Sequence, residues 1–197
     1  MRTFHSILGV VHGPSFRQPP FGNRCCTMCG TDCNRTRRPP EQVLSSPMKP
    51  QPGTYALVLS SRIASPVRIG NLGSLQLQPG FYVYIGSAHG PGGLRARLGH
   101  HLAPASRPHW HIDYLRAHAD PEEVWYCYDA RPWEHEWAKC IGTLPGASIP
   151  LAGFGASDCR CESHLYFFER RPSRAAFARR LGAFGRTHPP VRLHRLK

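Results

Sequence analysis

With 197 residues, the chain has room for one domain of ordinary size plus an appendage, but not for two full domains. Its 25 lysines and arginines stand against 12 acidic residues, a formal net charge of +13, and the sequence pI of about 9.9 points to a polyanionic partner, nucleic acid above all. No apolar run approaches the roughly 18 residues that cross a bilayer, and Ser6 to Val11 is too short for a signal-peptide core. A soluble, cytoplasmic protein with no membrane partner is therefore expected, and a hydrophobic content of 41% excludes a wholly disordered chain.

Composition divides the chain near Met48. Residues 1–47 hold six arginines, no lysine, two acids, four cysteines and two Pro-Pro pairs, with no apolar period; they predict a disordered or non-native basic extension, with the functional protein beginning at or near Met48. The remaining residues carry 19 basic and 10 acidic side chains, a net +9, so the basic character belongs to the folded part. Thr54 to Ser60 is β-branched and apolar and follows the turn-forming Pro52-Gly53, which predicts a strand. Val67 to Ile69 and Ser74 to Leu77, with Gly70 and Gly73 between them, predict a small hairpin. Phe81 to Ile85 predicts a stronger strand, with Tyr82 and Tyr84 on one face and Phe81, Val83 and Ile85 on the other. A helix over residues 93–102 follows, with Leu94, Leu98 and Leu102 spaced as a buried stripe and Arg97 and His101 as a second i, i+4 pair. Next come a helix around Trp110 to His118, a strand from Val124 to Tyr128, a helix opening at Pro132, a strand from Leu165 to Phe168, and a helix starting near Pro172. This order predicts a small α/β domain at 48–172 with a central three- to four-stranded sheet flanked by helices, then a basic C-terminal helix and tail at 173–197.

Three stretches, in order, carry a resemblance. Gly53-Thr54-Tyr55, then Tyr84-Ile85-Gly86, then Gly93-Leu94-Arg95-Ala96-Arg97-Leu98 opening a helix resemble the core of the GIY-YIG nucleases. The runs Tyr84 to Ala88, His109 to Leu115 and Phe154 to Leu165 resemble one branch of that superfamily, a domain of unknown function sometimes fused to endonuclease III-type glycosylases. The resemblance covers about residues 52–170. It implies hydrolysis of DNA phosphodiester bonds with one divalent ion, Mg²⁺ or Mn²⁺, which requires a group to activate water, positive charge on the phosphorane oxygens and a cation on the phosphate. By analogy Tyr55 and Tyr84 position or deprotonate the water, Arg97 clamps the phosphate, and Glu134, preferred over Glu136 because Trp137 follows it three residues later, holds the metal. Arg95 is the weaker clamp candidate. His101, one turn after Arg97, is an alternative base, since its reference pKa is about 6.5 while that of tyrosine is about 10. The family's late asparagine has no evident equivalent, and Ser157 or Asp158 stands in its place. RNA as substrate, or a nucleic-acid-binding module without catalysis, are the alternative functions.

Taken singly, these side chains also have structural readings: surface strand tyrosines, a solvated helix arginine and glutamate, a half-buried histidine. His109-x-His111-x-Asp113 converges on a metal only if extended, because on a helix His111 points away from the other two; His109 and His111 are expected to contact phosphate, or to pack and cap. Cys159-x-Cys161-x-x-His164 supplies three zinc-capable groups without the usual C-x₂₋₄-C spacing or an evident fourth ligand, so reduced cysteines in a structural turn are expected there rather than structural Zn²⁺. Cys25, Cys26, Cys29 and Cys33 include a C-x-x-C, but they lie in a segment with no hydrophobic support.

Overall fold

The computed structural model describes residues 48–103, 107–184 and 187–196; the expectations for residues 1–47, including the Cys25 cluster, lie outside them. In chain order the elements are β1 (Gly53–Ser61), β2 (Ser65–Ile69), β3 (Gly73–Leu77), β4 (Gly80–Ala88), α1 (Gly93–Leu102), α2 (His111–Arg116), β5 (Asp120–Tyr128), α3 (Glu134–Gly142), β6 (Leu165–Phe168), α4 (Arg174–Gly182) and β7 (Arg192–Arg195). This is a mixed α/β domain built on one antiparallel sheet of order β6-β4-β1-β5-β7, with β2 and β3 forming a separate hairpin.

β1 is the central strand and reads as a near-continuous apolar run because both of its faces are covered. Tyr55, Leu57 and Leu59 enter one core, and Ala56 and Val58 the other. β4 alternates in the same way: Tyr82 and Tyr84 join the first core, Val83 and Ile85 the second. In the antiparallel register Tyr55 lies opposite Gly86 and Leu57 opposite Tyr84, so the two tyrosines project from neighbouring strands on one face of the sheet.

The first face is covered by α1, α2 and the hairpin. α1 buries Leu94 and Leu98 as expected, but the third position is taken by His101, with Leu102 only partly buried. The helix expected from Trp110 to His118 is confined to His111–Arg116. Its start is fixed by Asp113, whose Oδ2 accepts the backbone N–H groups of His109 and Trp110, both at 3.0 Å, as an acidic cap does.

The second face is covered by α3 and α4. The Phe177 ring stacks on Trp125 with centroids 5.5 Å apart and meets Trp137 edge-on at 4.9 Å. α3 begins two residues after Pro132, and the Trp133 N–H donates to Thr54 Oγ1 at 3.0 Å, tying the start of α3 to β1.

Two expectations are corrected. The central sheet has five strands rather than three or four, because the basic tail supplies β7, paired antiparallel to β5 with Val124 opposite His194. The sequence Arg-Leu-His-Arg shows no apolar alternation because β7 is an edge strand held by backbone hydrogen bonds, and only His194 is buried. The boundary at residue 172 also dissolves: α4 supplies Phe177 and Leu181 to the second core and β7 pairs with β5, so both elements belong to the domain.

Candidate active site

At the end of the sheet where Tyr55 faces Gly86, the side chains of β1, β4, α1 and α3 and the loop before β6 enclose a cleft of about 390 Å³. Tyr55, Tyr84, Arg97 and Glu134 all line it, with Ser157 and Asp158 at its rim. Four residues expected to act together thus converge from four elements. Arg95 does not join them; it is exposed on α1 away from the cleft.

Glycines set the tyrosines. A Cβ at Gly86 would collide with the Tyr55 hydroxyl, and one at Gly155, where φ is +70°, would lie 2.8 Å from Cε2 of Tyr84. Gly86 is therefore required for close approach, and Gly155 for both approach and backbone conformation. The two tyrosine rings meet edge-on with centroids 6.3 Å apart. Burial pushes both hydroxyls well above their ordinary pKa, with further rises from Tyr84 on Tyr55 and from Glu134 on Tyr84 that outweigh the opposing effect of Arg97. Both are neutral phenols at neutral pH.

Beneath Tyr55 lies His101, 1% exposed, with Nε2 at 2.8 Å from the Tyr55 hydroxyl. Its other nitrogen, Nδ1, faces Asp113 Oδ1 at 3.6 Å. Burial, opposed in part by Asp113 and reinforced by Arg97, pulls the His101 pKa down to about 4, so the imidazole is neutral. The carboxylate facing Nδ1 favours the tautomer with its proton there, which leaves Nε2 as an acceptor for Tyr55. Asp113 remains ionised: burial raises its pKa, but the N–H groups of Trp110 and His109 and the neighbouring histidines more than offset that and hold it below the ordinary carboxylate value. Asp113 is not one of three converging metal ligands with His109 and His111; it caps α2 and orients His101.

Arg97 stands over the Trp110 ring, 4.7 Å from its centroid, a cation–π contact that holds the guanidinium on the cleft wall. His109 is exposed beside it at the cleft edge, its ring 5.1 Å from Trp110. His111 also lines the cleft, but its Nδ1 accepts the Gly155 N–H at 3.0 Å, so it pins the loop before β6 to α2. On the opposite wall, burial raises the Glu134 pKa, yet His164 and a hydrogen bond from Ser87 outweigh it and hold the carboxyl below its ordinary value. Glu136 does not line the cleft and pairs with Arg131 at 2.6 Å.

Residues 54–185 match the model of the family described as a domain of unknown function, DUF123. The chain belongs to that family. No curated protein and no solved structure matches it. The DUF123 match takes in the whole cleft and ends before β7.

Three residues in or behind this DUF123 cleft make contacts that the sequence does not show. The spacing offers Asp113 only as a metal ligand, because a cap and an orienting carboxylate look the same in a chain read linearly. Ser87 follows the Tyr-Ile-Gly motif directly, and its contact with Glu134 depends on where α3 docks. The sequence sets His164 only beside its neighbouring cysteines, whereas its Nδ1 lies 2.9 Å from Glu134 Oε1.

Proposed function

We propose that this domain is a divalent-metal-dependent endonuclease that hydrolyses phosphodiester bonds in DNA. The observation that carries the reading is the convergence of Tyr55, Tyr84, Arg97 and Glu134 on one cleft, the set that the resemblance to GIY-YIG nucleases implies. The basic balance of the chain, a net +13, fits a phosphate polymer as the substrate.

The chain's own groups divide the work. Tyr55 receives a proton from the attacking water while its hydroxyl proton passes to His101 Nε2; the imidazolium that forms is stabilised by Asp113. In this relay Tyr55 never has to ionise beforehand; the final acceptor is His101, a weak base with its pKa lowered to about 4 but unprotonated at neutral pH. Tyr84, neutral and 8% exposed, orients the water or the scissile phosphate with its hydroxyl. Arg97 balances the charge that grows on the phosphorane oxygens. The oxygen donors of Glu134, Ser157 and Asp158 suit a hard cation such as Mg²⁺ or Mn²⁺, and such an ion would polarise the phosphate and steady the leaving oxygen. His109, at the mouth of the cleft, is placed to contact a flanking phosphate.

Incubating the purified chain with labelled single- and double-stranded DNA and RNA, in Mg²⁺, Mn²⁺ or EDTA, tests the reading. DNA cleavage that EDTA abolishes and Mg²⁺ restores is expected, and Arg97→Ala purified in parallel should lose it. Intact nucleic acid, shifted in a gel with or without EDTA, would favour a binding module; cleavage of RNA alone would change the substrate.

A further inference from the structure

A second cluster lies behind the cleft. His135 is exposed in the first turn of α3, Cys159 and Cys161 are half-buried in the loop before β6, and His164 is buried just ahead of that strand. One ligand atom from each lies within 4.8 Å of the other three. His135 Nδ1 is 3.1 Å from Cys161 Sγ, and His164 Nε2 is 3.5 Å from Cys159 Sγ. A tetrahedral zinc ion with ordinary Zn–S and Zn–N bonds separates its ligand atoms by about 3.3–3.8 Å, so these spacings are close to those of a loaded site. Both cysteines are free thiols. The fourth ligand that the sequence lacked is His135, 24 residues before the first cysteine, brought in by the docking of α3.

A separate observation points the same way. His164 is 1% exposed, and its Nδ1 lies 2.9 Å from Glu134 Oε1, a contact that helps hold that carboxyl below its ordinary pKa. A metal on Nε2 would fix the tautomer with the proton on Nδ1, facing that carboxylate. Metal-bound histidines regularly present their second nitrogen to a carboxylate in this way.

We propose that His135, Cys159, Cys161 and His164 form a Cys₂His₂ site for Zn²⁺. Four protein ligands leave no position open for water or substrate, so the ion is structural. It ties the start of α3, which carries Glu134, to the loop that carries Ser157 and Asp158, and so fixes two walls of the cleft. The site does not depend on the nuclease reading, because it is tested by metal binding and not by activity.

The test uses the full chain with Co²⁺ as a spectroscopic substitute for Zn²⁺. Because residues 25–33 hold another set of cysteines, the background is Cys25→Ser, Cys26→Ser, Cys29→Ser and Cys33→Ser combined. That protein is expected to take up one Co²⁺ per chain, with the visible bands of tetrahedral cobalt and a thiolate charge-transfer band, and Zn²⁺ should displace it. Cys161→Ser should weaken the charge-transfer band, and His135→Ala should shift the visible bands and lower the affinity at least tenfold. If Cys161→Ser fails to fold, His135→Ala decides the matter, since its side chain is exposed. No cobalt uptake by the background protein, or a spectrum and affinity unchanged by His135→Ala, would overturn the site.

Discussion

At the residue scale, the unusual group is His101. A buried histidine held neutral beside a tyrosine hydroxyl gives the acid limb of any activity a distinctive position. With a pKa of about 4 in place of 6.5, His101 is still able to accept a proton at pH 5, where an ordinary histidine is mostly spent. Single-turnover cleavage at saturating metal should therefore hold nearly level from pH 6.5 to 5; a tenfold loss per unit below 6.5 would contradict the relay. Stability moves the other way. As the pH falls, the unfolded chain takes the proton near 6.5 and the folded chain only near 4, so folding weakens across that window by up to about 3 kcal/mol. Asp113, with its folded pKa lowered, adds stability above its ordinary value that is lost as the pH falls further. Thermal denaturation between pH 7 and 4 should show this slope, and His101→Gln should flatten it.

Two further residues separate function from support. Arg97→Ala should lower the cleavage rate by roughly 100- to 1000-fold, the usual loss when one charge-stabilising group is removed, while Arg95→Ala should leave it within about twofold. Gly86→Ala should displace the Tyr55 hydroxyl and slow cleavage, with a loss of about 1–3 kcal/mol in stability from overpacking. A Gly86→Ala protein that cleaves at the wild-type rate would show that Tyr55 need not sit where it does.

At the element scale, legibility followed burial pattern. β1 and β4 carry their two faces in plain alternation, and Leu94 and Leu98 mark α1, so all three were readable. β7 was not, because an edge strand of Arg-Leu-His-Arg is stabilised by pairing with β5, about 70 residues away along the chain. α3 was placed, but its rotation was not: the family pattern favoured Glu134, and only the docked helix shows Glu136 occupied with Arg131 and His135 turned to the cysteines. The tyrosines, arginine and glutamate of the cleft were legible as a motif; the line of contacts from Tyr55 through His101 to Asp113 was not, since it depends on α1 and α2 packing side by side. α4 is the element to test. Phe177, 0% exposed between Trp125 and Trp137, should cost about 3–5 kcal/mol when replaced by alanine, read as a lower denaturation midpoint. A loss below about 1 kcal/mol would mean that α4 is not part of the cooperative core.

At the scale of the whole molecule, the domain holds a small, mixed-charge cleft on a strongly basic chain. Affinity for duplex DNA should fall steeply as salt rises, because neutralising several phosphates releases counterions, whereas the rate of a bound complex should change little. The most direct test of the central claim compares single-turnover cleavage of one bound DNA by wild type, Arg97→Ala and Glu134→Gln under the same metal and salt, with binding measured alongside. Metal-dependent cleavage by wild type, lost at least 100-fold in both variants while binding weakens by less than tenfold, is the expected result. Equal cleavage by all three proteins, or binding by all three with no cleavage in any metal, would contradict a catalytic role for this cleft.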